Sequence, residues 1–289
     1  MPKVSVIIPC YNQGEYIDYA VDSVLEQTFQ DFEIIIVNDG STDDFTNEKL
    51  KNYNKPKTKV IDTINLGLSA ARNNGILAST GKYILPLDAD DKIGNTYLEK
   101  AVRILDENNK IGILYCEAEL FGEKSGKWDL PDYNFYEFLC ENQIFCSAFF
   151  RRDDYNKTNG YNSSLIYGSE DWDFWLTLIE NGVEVYRIPE TLFYYRIRCN
   201  SMVRSIDADE TKYSQNVIVR NHPALYVNNN YNPINLFNEN KTLKTELASV
   251  IQQLDDIKKS RTYKLSSRIS KPLKFFKTIL ANSYRNSDI

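Results

Sequence analysis

The sequence is poor in histidine and has no clustered cysteine. One histidine in 289 residues makes Ser-His-Asp hydrolysis and histidine-based zinc chemistry poor options. The five cysteines, Cys10, Cys116, Cys140, Cys146 and Cys199, form no CxxC pair and are odd in number. That spacing suits reduced thiols in a cytoplasm, not a zinc site or a disulfide framework. No apolar run approaches the ~18 residues that a bilayer-spanning helix requires. The apolar run at 4–9 is too short for a signal peptide, so a cytoplasmic location is expected. No GxGxxG follows the first apolar run, and a dinucleotide-binding reading therefore lacks its main support. A formal net charge of −6 argues against a chain that coats nucleic acid, and no such partner is expected.

What is present forms a core. Hydrophobic residues make up 42% and charged residues 26%, and the length fits one large domain with an appendage. Charge is unevenly spread. From Lys258 onward nine bases face Asp288 alone, a net of +8, which leaves −14 on residues 1–257. An acidic body with a basic tail suggests chemistry in the first and an anionic partner for the second.

The first half alternates strand and helix patterns. Apolar runs at 4–9, 32–37, 83–87 and 111–116 read as strands, and 59–62 as a weaker one. Helical patterns lie between them at 15–27, 68–78 and 96–106. Thr42 or Asp43 can cap a further helix after the turn Asn38-Asp39-Gly40-Ser41. This order predicts an α/β fold with a mainly parallel sheet and helices on both faces. In open sheets of that kind ligands sit at the carboxyl ends of strands, where polar clusters follow Pro9, Val37 and Leu87. The second half is mixed, with strands expected at 142–150, 183–188 and 191–197 and a helix at 170–180 that opens on acids.

Asp88-Ala89-Asp90-Asp91 is the strongest single feature. Three carboxylates within four residues repel one another unless a cation or donors offset them. At a strand end they favour a divalent metal with oxygen ligands. Four further motifs occur: Pro9-Cys10-Tyr11-Asn12, the run 37–43 around Asp39, the run 65–73 around Arg72, and Glu170-Asp171-Trp172-Asp173-Phe174-Trp175. Together, over roughly residues 3–200, they closely resemble glycosyltransferase family 2, the inverting nucleotide-sugar enzymes of the GT-A fold.

The resemblance implies a GT-A, Rossmann-like domain at 1–230, with a nucleotide-sugar half at 1–116 and an acceptor-side half at 117–230. Pro9 and Tyr11 would line the base pocket, with Asn12 beside them. Asp39 would accept the uracil N–H, oriented by Arg72. Asp90 would meet the ribose and Asp91 a Mn²⁺ or Mg²⁺ that bridges the diphosphate, with Asp90 a second candidate ligand. Asp88, the first acid of the DxD pattern, stays open between ligand and structural roles. Asp171 would be the general base, because a sugar hydroxyl must lose its proton as it attacks. Glu170 would contact sugar or acceptor, and Trp172 is a candidate sugar platform. Where many relatives carry a histidine after Tyr195-Arg196, this sequence has Arg198, which cannot ligate a metal but can bind phosphate oxygens. His222 lies outside every motif and reads as incidental.

The implied reaction is metal-dependent transfer from a nucleotide sugar, first of all a UDP-sugar, to a glycan or lipid-linked acceptor in bacterial surface polysaccharide synthesis. A binding subunit without turnover is the competing class, and intact Asp39, Arg72, Asp91 and Asp171 argue against it. A nucleotidyltransferase would want a glycine-rich, basic N-terminal loop, which is absent.

The body is expected to end near Asn230. Beyond it, Leu236, Asn240, Leu243, Leu247, Val250, Leu254 and Ile257 recur at alternating spacings of four and three, as heptad a and d positions do. Residues 231–260 are thus expected to form a helix that makes a homo-oligomer through 236–257 or folds back on the body. The tail at 261–289 mixes bases with apolar residues such as Phe275 and Phe276. It reads either as a peripheral segment for an anionic leaflet, on the inner face of the cytoplasmic membrane, or as a solvated terminus.

Overall fold

The computed structural model describes residues 1–199, 201, 205–228 and 233–260, with residues 228 and 233–239 described by backbone alone. The expected basic tail at 261–289 lies outside the described residues. The chain divides into two compact units, Met1–Tyr226 and Val227–Ile289.

In the first unit, β1 (Val4–Cys10), α1 (Ile17–Leu25), β2 (Phe32–Asp39), α2 (Asp44–Lys51), β3 (Thr58–Thr63), α3 (Leu68–Leu77) and β4 (Tyr83–Pro86) alternate as expected. β1 pairs in parallel with β2 and β4, and β2 with β3. Every residue of β1 is buried, as a strand covered on both faces must be. Asp43 is the cap of α2: its side chain accepts from the Thr46 N–H. Gly75 lets α3 lie close on the sheet, since a Cβ there would stand 2.4 Å from Ile7 Cγ2 and 2.9 Å from Val37 Cγ2.

The second half continues with β5 (Lys92–Ile93), α4 (Tyr97–Glu107), β6 (Ile111–Gly122), β7 (Gly126–Trp128), α5 (Phe135–Phe138), β8 (Phe149–Arg151), α6 (Arg152–Tyr155), α7 (Glu170–Glu180), β9 (Glu184–Ile197), α8 (Ala208–Asn221) and α9 (Pro223–Asn228). Among the described residues nine strands form one sheet in the order β3-β2-β1-β4-β8-β6-β9-β5, with β7 paired to β6. The sheet is mixed: β8 runs antiparallel to both β4 and β6, while β6 and β9 are parallel.

Two strand expectations need correction. The stretch 142–150 is strand only from Phe149, because Asn142 turns the chain by accepting the Ile144 N–H at its own Oδ1. The separate strands at 183–188 and 191–197 are one strand, β9. Its partners step from Cys116↔Ile188 to Glu117↔Thr191, so Pro189 and Glu190 bulge out of the ladder without breaking it.

In the second unit, α10 (Pro233–Lys259) is a 27-residue helix. Its Leu243, Leu247, Val250, Leu254 and Ile257 are 48–62% exposed. No helix among the described residues is long and apolar enough to cross a membrane.

Candidate active site

The carboxyl ends of β1, β2 and β4 gather the polar motifs. After β1 the backbone turns at Asn12, whose φ of +54° is one that Asn tolerates better than most residues. Its side-chain oxygen accepts from Thr42 N at 2.7 Å and Asp43 N at 3.1 Å, and its amide donates to Thr42 Oγ1 at 3.0 Å. Asn12 therefore ties the β1 loop to the β2 loop. Pro9 is buried within β1, while neighbouring Tyr11 is exposed.

Asp39 ends β2 almost fully buried. Its carboxylate accepts from Leu66 N at 3.1 Å, Gly67 N at 3.0 Å and Thr63 Oγ1 at 3.2 Å. Gly40 follows at φ +63°, and a Cβ there would lie 2.5 Å from Asn65 N, so the two loops meet only through glycine. The expectation that Arg72 orients Asp39 is overturned. The loop's own donors already hold that carboxylate, and Arg72 turns to other partners.

Those partners join two distant motifs. Arg72, on α3 and 1% exposed, donates through Nη2 to Asp88 Oδ1 at 2.8 Å and through Nη1 to Glu170 Oε1. Its guanidinium faces the Tyr161 ring at 5.5 Å. One planar cation thus bridges the acids after β4 and the start of α7, a task suited to Arg's forked donors. Burial would lower the Arg72 pKa, but the charges of Asp88 and Glu170 raise it well above the usual arginine value.

The acidic run splits by depth. Asp88 is partly open, while Asp90 is buried in an ion pair with Arg198 Nε at 2.7 Å, and Asp91 is fully buried. Asp91 Oδ1 accepts the Arg196 N–H at 2.8 Å, and Arg196 Nε donates to the Asp90 carbonyl at 2.7 Å. Burial and the neighbouring acids push the carboxyls of Asp90 and Asp91 above the usual range.

α7 opens at Ser169, held at φ +67°, and carries Glu170 and Asp171 in its first turn. Asp171 is half-buried. Its Oδ1 accepts from Trp172 N at 2.7 Å and Asn142 Nδ2 at 3.2 Å. Burial first, then the charge of Glu170, pushes its carboxyl up to about 7, against the pull of Arg72. Trp172 is not an open platform. It is 7% exposed, its Nε1 donates to the Phe138 carbonyl at 2.8 Å, and its ring packs edge-on to Phe138.

The sequence and the fold both have matches among known proteins. The profile of glycosyl transferase family 2 matches residues 5–163. The chain belongs to that family. A second profile, described as the N-terminal domain of galactosyltransferase, matches residues 137–199 of this family 2 glycosyltransferase. An uncharacterized glycosyltransferase of Haemophilus influenzae is 29% identical over 286 residues, spanning 88% of this chain and 87% of that one. Another, from Methanocaldococcus jannaschii, is 31% identical over 207 residues, spanning 68% and 71%. The crystal structure of S. aureus TarS 1–349 in complex with UDP-GlcNAc superposes with a TM-score of 0.64 at 22% identity, covering 76% of this chain and 66% of that one. That likeness shows the GT-A fold.

Three residues of the candidate site escaped the sequence reading. Cys146 Sγ lies 3.4 Å from Asp88 Oδ2, Asn142 holds Asp171, and Arg196 holds the backbone around Asp90 and Asp91. Cys146 and Asn142 sit in the loop before β8, where no periodicity marks them. Arg196 was legible only as part of the run that ends in Arg198.

The donor set suits a cation shared with a ligand. Among the described residues no three His, Cys, Asp or Glu side chains converge as a metal cage. Magnesium-type sites commonly take one or two carboxylates and complete the shell with phosphate and water. Asp90 is 8% exposed, and the adjacent Asp91 Oδ2 is a buried oxygen without a hydrogen-bond partner. These residues fit such a site.

Proposed function

We propose that this glycosyltransferase is inverting and metal-dependent, and moves a sugar from a UDP-sugar to a hydroxyl of a glycan or lipid-linked acceptor. The observation that carries this reading is the Arg72 bridge, which links Asp88 on the donor side to Glu170, next to Asp171. A carboxyl pushed up to about 7 is basic enough to take a hydroxyl proton, yet ionised in good part near neutral pH.

In the step, the acceptor oxygen attacks the anomeric carbon while its proton passes to Asp171. The bond to the nucleoside diphosphate breaks, and its electron pair stays on the departing phosphate oxygen. A single displacement from the face opposite that bond inverts the centre. Asp90 and Asp91 are the residues that would hold Mn²⁺ or Mg²⁺, which when bound supplies Lewis-acid neutralisation of the diphosphate. Arg198 adds a positive charge beside Asp90 for the phosphate oxygens. Tyr11 and the Asp39 loop would receive the base. The UDP-GlcNAc complex of TarS supports a UDP-sugar, with an N-acetylhexosamine as the first to try.

The same reading extends to the C-terminal region. The apolar stripe of α10 would pair with copies of this chain. The tail at 261–289 would meet the anionic inner face of the cytoplasmic membrane, where bacterial surface polysaccharides are assembled.

A thermal-shift panel of UDP-, GDP- and dTDP-sugars with and without Mn²⁺ tests the donor. A Mn²⁺-dependent rise in Tm with UDP-sugars is expected. Equal turnover with and without excess EDTA would refute metal dependence.

A further inference from the structure

The one histidine of the chain is built into a charge clamp on the helix that starts with Asp171. His222 follows α8 directly and is 1% exposed. Its Nδ1 is hydrogen-bonded to Glu180 Oε2 at 2.8 Å, and its Nε2, without a well-aligned hydrogen bond, lies at ion-pair distance, 3.3 Å, from Asp173 Oδ1. Both acids belong to α7: Asp173 in its first turn and Glu180 at its last residue. Asp173 is itself 1% exposed, and both its oxygens accept from Asn221 Nδ2, at 3.0 and 3.1 Å. The sequence reading of His222 as incidental is therefore corrected.

A neutral imidazole has one N–H and one bare lone pair. Between two carboxylates it would satisfy one and turn its lone pair on the other, while the ring itself is 1% exposed. Only the imidazolium, with a donor on each nitrogen, fits both. We propose that His222 is a positioning residue, an imidazolium that fastens the end of α8 to α7 and so fixes the angle at which α7 presents Asp171.

Two further observations agree. α8 buries only Ser214 and Ile218, so few apolar contacts hold it in place. Burial pulls the His222 pKa down, but the carboxylates of Asp173 and Glu180 more than offset this and leave it raised. The titratable groups facing the ring are those two acids of α7, and from its own segment Asn221 is the polar neighbour. Because the folded value is raised, the clamp is complete below about pH 6.5, the free imidazole value. It weakens as pH rises through the folded value.

The inference rests on Asp171 being the base, but its first test does not. With one histidine, the imidazole resonances of the full-length protein need no assignment. Nitrogen-15 NMR should show both ring nitrogens protonated at pH 7, with a titration midpoint clearly above 6.5. A neutral tautomer at pH 7, or a midpoint at or below 6.5, would overturn the clamp whatever the enzyme's substrate. The second test is His222→Gln, whose amide cannot donate on opposite sides. It should lower kcat about tenfold, in line with the cost of small misplacements, leave the donor KM unchanged, and abolish the alkaline fall in kcat. An alkaline limb unchanged in His222→Gln would overturn the positioning role.

Discussion

At Asp171, burial and the charge of Glu170 oppose ionisation while Arg72 favours it, and the balance lies at about 7. A free aspartate titrates near 3.9, so between about pH 4 and 7 the native chain binds more protons here than the unfolded one. Stability therefore falls as pH rises across that window, and a strong base is carried at a cost to the fold. The catalytic consequence has the opposite sign. The rate at saturating donor should climb about tenfold per pH unit below 7, level off above it, and fall again only where His222 loses its proton. A flat profile from pH 5 to 8 would show that another group takes the proton. Single residues were legible in the sequence by type and order, through the acids at 88–91 and the pair at 170–171. Their partners were not. Arg72 goes to Asp88 and Glu170 because Asp39 is already met by Thr63, Leu66 and Gly67, and no spacing along the chain reveals that competition.

Elements were legible where their period was strong. α4 buries Leu98, Ala101, Val102 and Leu105, the stripe expected of an amphipathic helix, and α7 has the expected bounds. The second-half strands were less so, because their ends are set by partners: β8 is cut short by the Asn142 turn, and β9 runs on through a bulge against β6. Gly75 shows how an element can depend on one missing side chain. In a helix interior glycine costs about 1 kcal/mol relative to alanine, yet here it lets α3 lie directly on Ile7 and Val37. Gly75→Val should destabilise the protein by about 1–3 kcal/mol through overpacking, read as a lower urea midpoint. An unchanged midpoint would mean that α3 is free to move away from the sheet.

Over the whole molecule, an acidic body bearing a sugar-transfer site is followed by a helix with an exposed apolar stripe. Most helical stability in proteins comes from packing an apolar face, and a partner for the stripe is the proposed source of it here. The full-length protein should sediment as an oligomer, and Leu247→Asp with Leu254→Asp should reduce it to a monomer with catalysis intact. An unchanged sedimentation coefficient would exclude pairing through α10. Oligomerisation would also bring several basic tails together, turning weak attractions into avid contact with an anionic surface. Salt-sensitive co-sedimentation with anionic liposomes should accompany the oligomer and weaken in the double variant. Binding that is absent at low salt would exclude the membrane role.

The proposed donor side and the proposed base lie far apart in sequence, and Arg72 joins Asp88 of the one to Glu170 beside the other. Asp171→Asn tests that union most directly, with donor affinity from calorimetry and transfer from single-turnover kinetics at saturating UDP-sugar. Affinity within about twofold of the parent, with transfer lowered by about 10²–10⁴-fold, is the expected result. Lost affinity with transfer preserved at saturation would contradict it, making Asp171 a binding residue and placing the base elsewhere.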